Sequence, residues 1–116
     1  MIYNIENLDV YKYSHALTIR IYKITATYPK DEIYGLVSQM RRAAVSICSN
    51  LSEGGSRISK AEMKQFIGFA RGSVAELSYQ ITLSLDIGYI NQSVYDDLQK
   101  QTRSVHKMLT GLISRL

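Results

Sequence analysis

Apolar residues recur along the chain at intervals of three and four, the period of a helix with one buried face. In the first segment they are Val10, Tyr13, Leu17, Ile21, Ile24 and Tyr28. The pattern stops at Pro29, which lacks an amide donor and disfavours helical geometry at Tyr28. The second segment carries Leu36, Met40, Ala43, Ile47 and Leu51 and closes on Glu53-Gly54-Gly55. A glycine there can take the left-handed conformation of a helix cap. The third carries Met63, Ile67, Ala70, Val74, Leu77 and Ile81. Ser59-Lys60-Ala61-Glu62 reads as its capping box, Ile58 and Met63 as a hydrophobic staple, and Gly88 as its stop. The fourth carries Val94, Leu98, Val105, Leu109, Leu112 and Leu116, behind Asn91 as N-cap and an Ile90–Tyr95 staple. The spacing predicts helices over about residues 9–28, 33–53, 60–87 and 92–115, with 1–8 an extended arm. Short turns between long helices make sequential neighbours antiparallel. The expected fold class is therefore all-α, an up-down-up-down four-helix bundle in a single domain.

Three of these helices carry apolar residues on a second side. Advancing 100° per residue places Phe69, Leu83 and Ile87 opposite the core stripe of helix three, near Gly68 and Gly72. Val37, Val45 and Cys48 lie off the core stripe of helix two, and Ile19 and Ala26 off that of helix one. The far side of helix four is Asp96, Lys100, Arg103, Lys107 and Ser114, with Asp96 and Lys100 spaced as an intrahelical ion pair. A helix that is apolar on both sides is buried twice, and in one small bundle the second burial needs another subunit. The candidate oligomer interface is Ile19, Val37, Val45, Gly68, Phe69, Gly72, Leu83 and Ile87. Glycines inside a helix cost roughly 1 kcal/mol each relative to alanine. Gly68-x-x-x-Gly72 therefore points to close approach of another backbone.

Composition narrows the class. Of the 116 residues 46% are hydrophobic and 21% charged, the mix of a folded domain rather than a disordered chain. Neither an 18-residue apolar run nor a basic-then-apolar leader occurs, so the expectation is a soluble cytoplasmic protein without a membrane partner. The net charge of +4 is unevenly placed: residues 41–71 hold six basic and two acidic residues, a surplus equal to the whole net charge. Lys60, Lys64 and Arg71 fall within about 40° of one another on helix three. Lys60 and Lys64 oppose the helix macrodipole, and Arg41 and Arg42 have no acidic residue three or four positions away. Arginine forks and lysine point charges suit phosphate. Arg41, Arg42, Arg57, Lys60, Lys64 and Arg71 are thus the candidate nucleic-acid-binding set.

The alternative is a protein-interaction scaffold whose cations pair with Glu53, Glu76 or Asp86, within the bundle or between subunits. The two readings separate on whether most of the six have a carboxylate within about 4 Å. Nine tyrosines read mainly as packing residues, with no aromatic-basic interleaving on one exposed face.

Signals for catalysis are weak. His15 and His106 have no acidic or histidine partner at helical spacing, and Cys48 sits mid-helix on an apolar stretch as an inert thiol. A lone cysteine excludes an internal disulfide and a multi-cysteine zinc site. Gly54-Gly55 follows a helix, not the strand that a phosphate-cradling loop requires. No enzyme, metal or cofactor is expected.

Longer blocks carry a family resemblance. They are Leu8-Asp9-Val10-Tyr11-Lys12, Tyr34 to Ile47 with its Gly-Leu-x-x-Gln-x-Arg-Arg-Ala core, and Ser49-Asn50-Leu51-Ser52-Glu53-Gly54. Later landmarks are Arg57, Ser59, Phe66 to Ala70, Gly72-Ser73-x-x-Glu76-Leu77, Leu85 to Tyr89 and Lys107 to Ile113. Over residues 8–116 the chain resembles the four-helix-bundle family encoded by intervening sequences of bacterial 23S ribosomal RNA genes. The resemblance implies a homopentamer. One branch, the accessory variability proteins of diversity-generating retroelements, works with a reverse transcriptase and its RNA, which implies RNA or a reverse transcriptase as partner. Cys48 departs from the family pattern, which has proline there; its amide should leave helix two straighter.

Overall fold

The computed structural model describes residues 4–116 and contains four α-helices, with no strand among the described residues. They are α1 (Asp9–Thr25), α2 (Leu36–Gly55), α3 (Lys60–Asp86) and α4 (Gln92–Ser114). Each helix packs on its neighbour in sequence, and α4 closes on α1. Cross-helix hydrogen bonds fix the directions. Thr18 Oγ1 donates to the Ala44 carbonyl while Arg41 Nε donates to Thr25 Oγ1, so α1 and α2 run opposite ways. Ser46 meets Ser73 while Met40 meets Ser84, which reverses α3 against α2. Ser78 bonds Gln99 and Arg71 reaches Thr110, which reverses α4 against α3.

The inner stripes of all four helices supply the core, with Leu17, Ile21, Met40, Ile47, Leu51, Met63, Ile67, Leu77, Ile81, Leu98 and Leu109 fully buried. On α1 the inner face is more polar than its apolar spacing implies. Ser14 and Thr18 are buried there, and Tyr13, placed on the core stripe by periodicity, is 53% exposed between α1 and α4. Small side chains let α1 come close enough for Thr18 to bond the α2 backbone at 3.1 Å. A tyrosine would hold the two helices apart. A second polar layer joins α3 to α4: Gln99 accepts from Ser78 Oγ and Thr102 Oγ1 and donates to the Ser78 carbonyl and Thr82 Oγ1. Fully partnered groups of this kind avoid the penalty of buried unsatisfied amides.

The helix ends show where local rules met packing. At α3, Ser59 Oγ accepts from the Glu62 amide, and Asn91 Oδ1 does the same for Val94 at α4. Ile58, placed in a staple onto Met63, is 85% exposed. Helix α3 stops in a Schellman motif, with Tyr89 N–H on the Ser84 carbonyl, Gly88 N–H on the Leu85 carbonyl and Gly88 at φ +85°.

Helix α2 departs from expectation at both ends. It begins at Leu36 rather than near 33 because residues 30–32 form a 3-10 turn, after which the Glu32 carboxylate accepts from the Leu36 amide. It runs through Gly54 and Gly55 without a left-handed residue. At Gly54 a β-carbon would lie 3.2 Å from Phe66 Cβ and 3.3 Å from the Met63 carbonyl oxygen. This glycine serves the close approach of α2 and α3, not a cap. Helix α1 ends at Thr25, three residues short of Tyr28, whose ring is nonetheless buried and whose hydroxyl donates to Ser84 Oγ. The expected extended arm is also corrected: residues 5–7 form a 3-10 turn that buries Ile5, while residues 1–3 lie outside the described residues.

Candidate nucleic-acid interface

The six basic residues do not form one patch. Around α3, Lys60, Lys64 and Arg71 lie on the side turned to α4, where Arg71 Nη1 reaches Thr110 Oγ1 at 3.5 Å. Ser73 lies on the opposite edge and hydrogen-bonds Ser46 of α2. Between these edges stands the outward ridge of α3, with Phe69 and Tyr79 exposed. Arg41 and Arg42 sit beyond that ridge, on α2. Arg57 lies past the end of α2, over the Phe66 ring with its carbon 4.5 Å from the centroid.

The six also differ in what holds them. Arg57 pairs with Glu53 and, at 3.9 Å, with Glu62. None of the other five has a carboxylate within 4.0 Å among the described residues. Arg42 and Glu76 line one groove between α2 and α3 without pairing. Arg41 is fixed by neutral groups: Nε donates to Thr25 Oγ1 at 3.0 Å, Nη2 to the Tyr22 carbonyl at 3.2 Å, and its carbon lies 4.6 Å from the Tyr22 centroid. Hydrogen bonds to neutral acceptors orient the guanidinium without cancelling its charge. On α4 the Asp96–Lys100 pair expected from spacing is absent among the described ion pairs. Asp96 accepts from Gln92 instead, while Asp97 pairs across the bundle with Arg20 at 3.2 Å.

One cationic site has a shape the sequence reading missed. A groove of about 760 Å³ between α1 and α2 is lined by Tyr22, Ile33, Tyr34, Val37, Arg41, Arg42, Val45 and three serines. Tyr34 is 97% exposed. The groove sets exposed aromatic rings beside two arginines, the interleaving judged absent from the sequence. The signal lay in Tyr34 preceding Arg41 and Arg42 by two turns, but Tyr22 comes from another helix and only folding brings it there.

The proposed interface residues sort by burial. Ile19, Val45, Phe69 and Ile87 are exposed, and a β-carbon at Gly68 or Gly72 would meet no atom within 4 Å. Val37 is corrected: it is buried at 5% exposure, because it shares the α1-facing side of α2 with Arg41 and Cys48. Leu83 is half-buried and already packs against the core. Tyr79, 66% exposed on the outer side of α3, belongs with the exposed set and was missed.

Other reactive groups lie apart. Burial pushes the Cys48 thiol up, with a smaller opposing effect from the Thr18 hydroxyl, which disfavours the thiolate a nucleophile needs. His15 and His106 are both exposed, on different helices. Among the described residues no group of three His, Cys, Asp or Glu could hold a metal ion, and no helix is long and apolar enough to cross a membrane.

Four antiparallel helices, with unpaired cations and exposed apolar side chains among the described residues, define an all-helical bundle protein. The model of the 23S rRNA-intervening sequence protein family matches residues 6–111, and the chain belongs to that family. A crystal structure of a protein of unknown function from the S23 ribosomal protein family of Bacteroides thetaiotaomicron is similar in fold. The TM-score is 0.81 at 22% identity, covering 90% of this chain and 97% of that one. No curated protein matches the chain.

Proposed function

We propose that this family member is a non-enzymatic, cytoplasmic homo-oligomer, a pentamer, whose basic surface binds RNA or an RNA-containing partner such as a reverse transcriptase complex. One observation carries the reading: among the described residues, five of the six candidate cations have no carboxylate within 4.0 Å, Arg57 being the exception. Had they been structural salt bridges of the bundle, carboxylates would stand beside them. Self-association is supported by the exposed Phe69 and Tyr79 and by two helical glycines with open space above them. A symmetric assembly would repeat each cationic site once per subunit.

The test is binding of labelled structured RNA across a salt series, with oligomer mass measured on the same sample. Affinity falling steeply with salt, and falling further in an Arg42→Ala/Lys60→Ala/Lys64→Ala variant of unchanged mass, is the expected result. An intact oligomer with no RNA affinity at low salt overturns it in favour of a protein scaffold.

A further inference from the structure

We infer that the α1–α2 groove seats a single-stranded segment of RNA, with a base stacked on the Tyr34 ring and a backbone phosphate on Arg42. The inference rests on the RNA-binding reading above and specifies the form of nucleic acid and the place it binds. Three observations carry it.

The first is charge. The ten residues lining the groove include two arginines and no carboxylate, whereas each of four other surface grooves includes Asp9, Glu76 or Asp97. Glu32, close by in the chain, keeps its charge but does not line the groove; its carboxylate oxygens accept from the Leu36 amide and from the Tyr89 hydroxyl, the latter at 2.7 Å. Arg42 has no ion pair among the described residues, so its donors are available to a phosphate.

The second is the aromatic surface. Tyr34 is 97% exposed, so its ring packs almost nothing within the bundle, and Ile33 beside it is half-exposed. Tyrosine faces bind unpaired bases of any identity, and a base locked in a duplex has no free face to offer. Arg41 lies over Tyr22 and is tied to the α1 backbone, so this wall of the groove is rigid before any ligand arrives. Ser38, Ser46 and Ser49 add hydroxyls along α2 that can bond sugar or base edges.

The third is size. About 760 Å³ falls inside the range of roughly 300–1,000 Å³ in which pockets hold small organic ligands. A flexible single strand can place one or two nucleotides in such a space.

The experiment is fluorescence anisotropy on the full chain with a labelled 12-nucleotide oligouridylate and, separately, a blunt RNA duplex, both at low salt, with oligomer mass followed in parallel. The single strand should bind at least about tenfold more tightly than the duplex. Tyr34→Ala should weaken it at least about fivefold, the lower end of what one stacked base contributes. Tyr34→Phe should retain the affinity, because the ring face is kept. Arg42→Ala should weaken single-strand binding and flatten its salt dependence by about one phosphate contact. Tyr34 is so exposed that its replacement leaves the fold intact. Equal binding of single strand and duplex, with Tyr34→Ala silent, overturns the inference and leaves the basic-surface reading standing. No binding of either RNA overturns both. A Tyr34→Ala variant of altered mass and unchanged RNA affinity assigns the groove to a second copy of the chain and also overturns the inference.

Discussion

Helices α3 and α4 are antiparallel neighbours of 27 and 23 residues, and their solvent-facing sides are unlike. Along α4 the outer positions are Asp96, Lys100, Arg103 and Lys107, and none of the exposed large apolar residues lies on that helix. Along α3 they are Gln65, Phe69, Gly72, Glu76 and Tyr79, with Ile87 at its C-cap, so polar and apolar side chains share this face. Both inner faces are equally well buried, so the stability of the bundle does not call for the difference. Water is the intended neighbour of α4. The outer face of α3 instead exposes large apolar side chains, and its glycines sacrifice helix propensity with no atom of the bundle approaching them. On the self-association proposed above, fold and partner are written on opposite sides of the same helix.

Substitutions on the two sides should behave differently, and the largest contrast lies on α3. Leu77→Ala, at a fully buried site, should cost about 2–5 kcal/mol in denaturant unfolding. Phe69→Ala should cost the bundle little and instead lower the oligomer mass measured by light scattering. If Phe69→Ala unfolds the chain as Leu77→Ala does, the two faces are not distinct.

The glycines give the next contrast. Gly54→Leu should destabilise by about 1–3 kcal/mol, because its β-carbon already crowds Phe66 and Met63. Gly72→Ala, in open space, should raise the stability of the isolated bundle by up to about 1 kcal/mol while weakening assembly. Thermal unfolding across a concentration series separates the two effects.

A smaller contrast divides the tyrosines. Burial holds the Tyr28 hydroxyl above the usual phenol range, opposed by its hydrogen bond to Ser84. Its folded pKa is raised, so the associated stability is intact below the unfolded value near 10 and falls as pH rises toward the folded value. Tyr28→Phe should cost about 0.5–1.5 kcal/mol at neutral pH and reduce that alkaline loss. Tyr34→Phe, at an exposed ring, should leave stability at neutral pH unchanged in the same chemical-denaturation series. Least of all, Arg103→Ala and Lys107→Ala on α4 should shift stability by no more than about 0.5 kcal/mol and leave the ratio of single-strand to duplex affinity untouched.

Much of the fold was legible because each helix carries its own local marks. Ser59 and Asn91 sit where caps were expected and accept from the expected amides, and Gly88 takes the left-handed conformation that its place after a periodic segment implied. These are interactions over three or four residues, which spacing alone specifies. The misreadings share the opposite property. Gly54 looked like a cap and is a helix-crossing residue; Tyr13 looked inward and faces out; Val37 looked outward and is covered by α1. In each case the deciding atom belongs to another helix.

The candidate site divides the same way. That residues 41–71 concentrate the positive charge, and that Arg41 and Arg42 lack a partner on their own helix, follow from composition and spacing. A one-dimensional pattern fixes which groups are charged and which side of a helix they occupy. It does not fix which neighbour a side chain meets, since that depends on how far helices approach and rotate about one another. Packing alone separated the lysine stripe of α3 from the arginines of α2 and set Tyr22 under Arg41 beside the exposed ring of Tyr34, whereas the Arg57–Glu53 pair, four residues apart, is local.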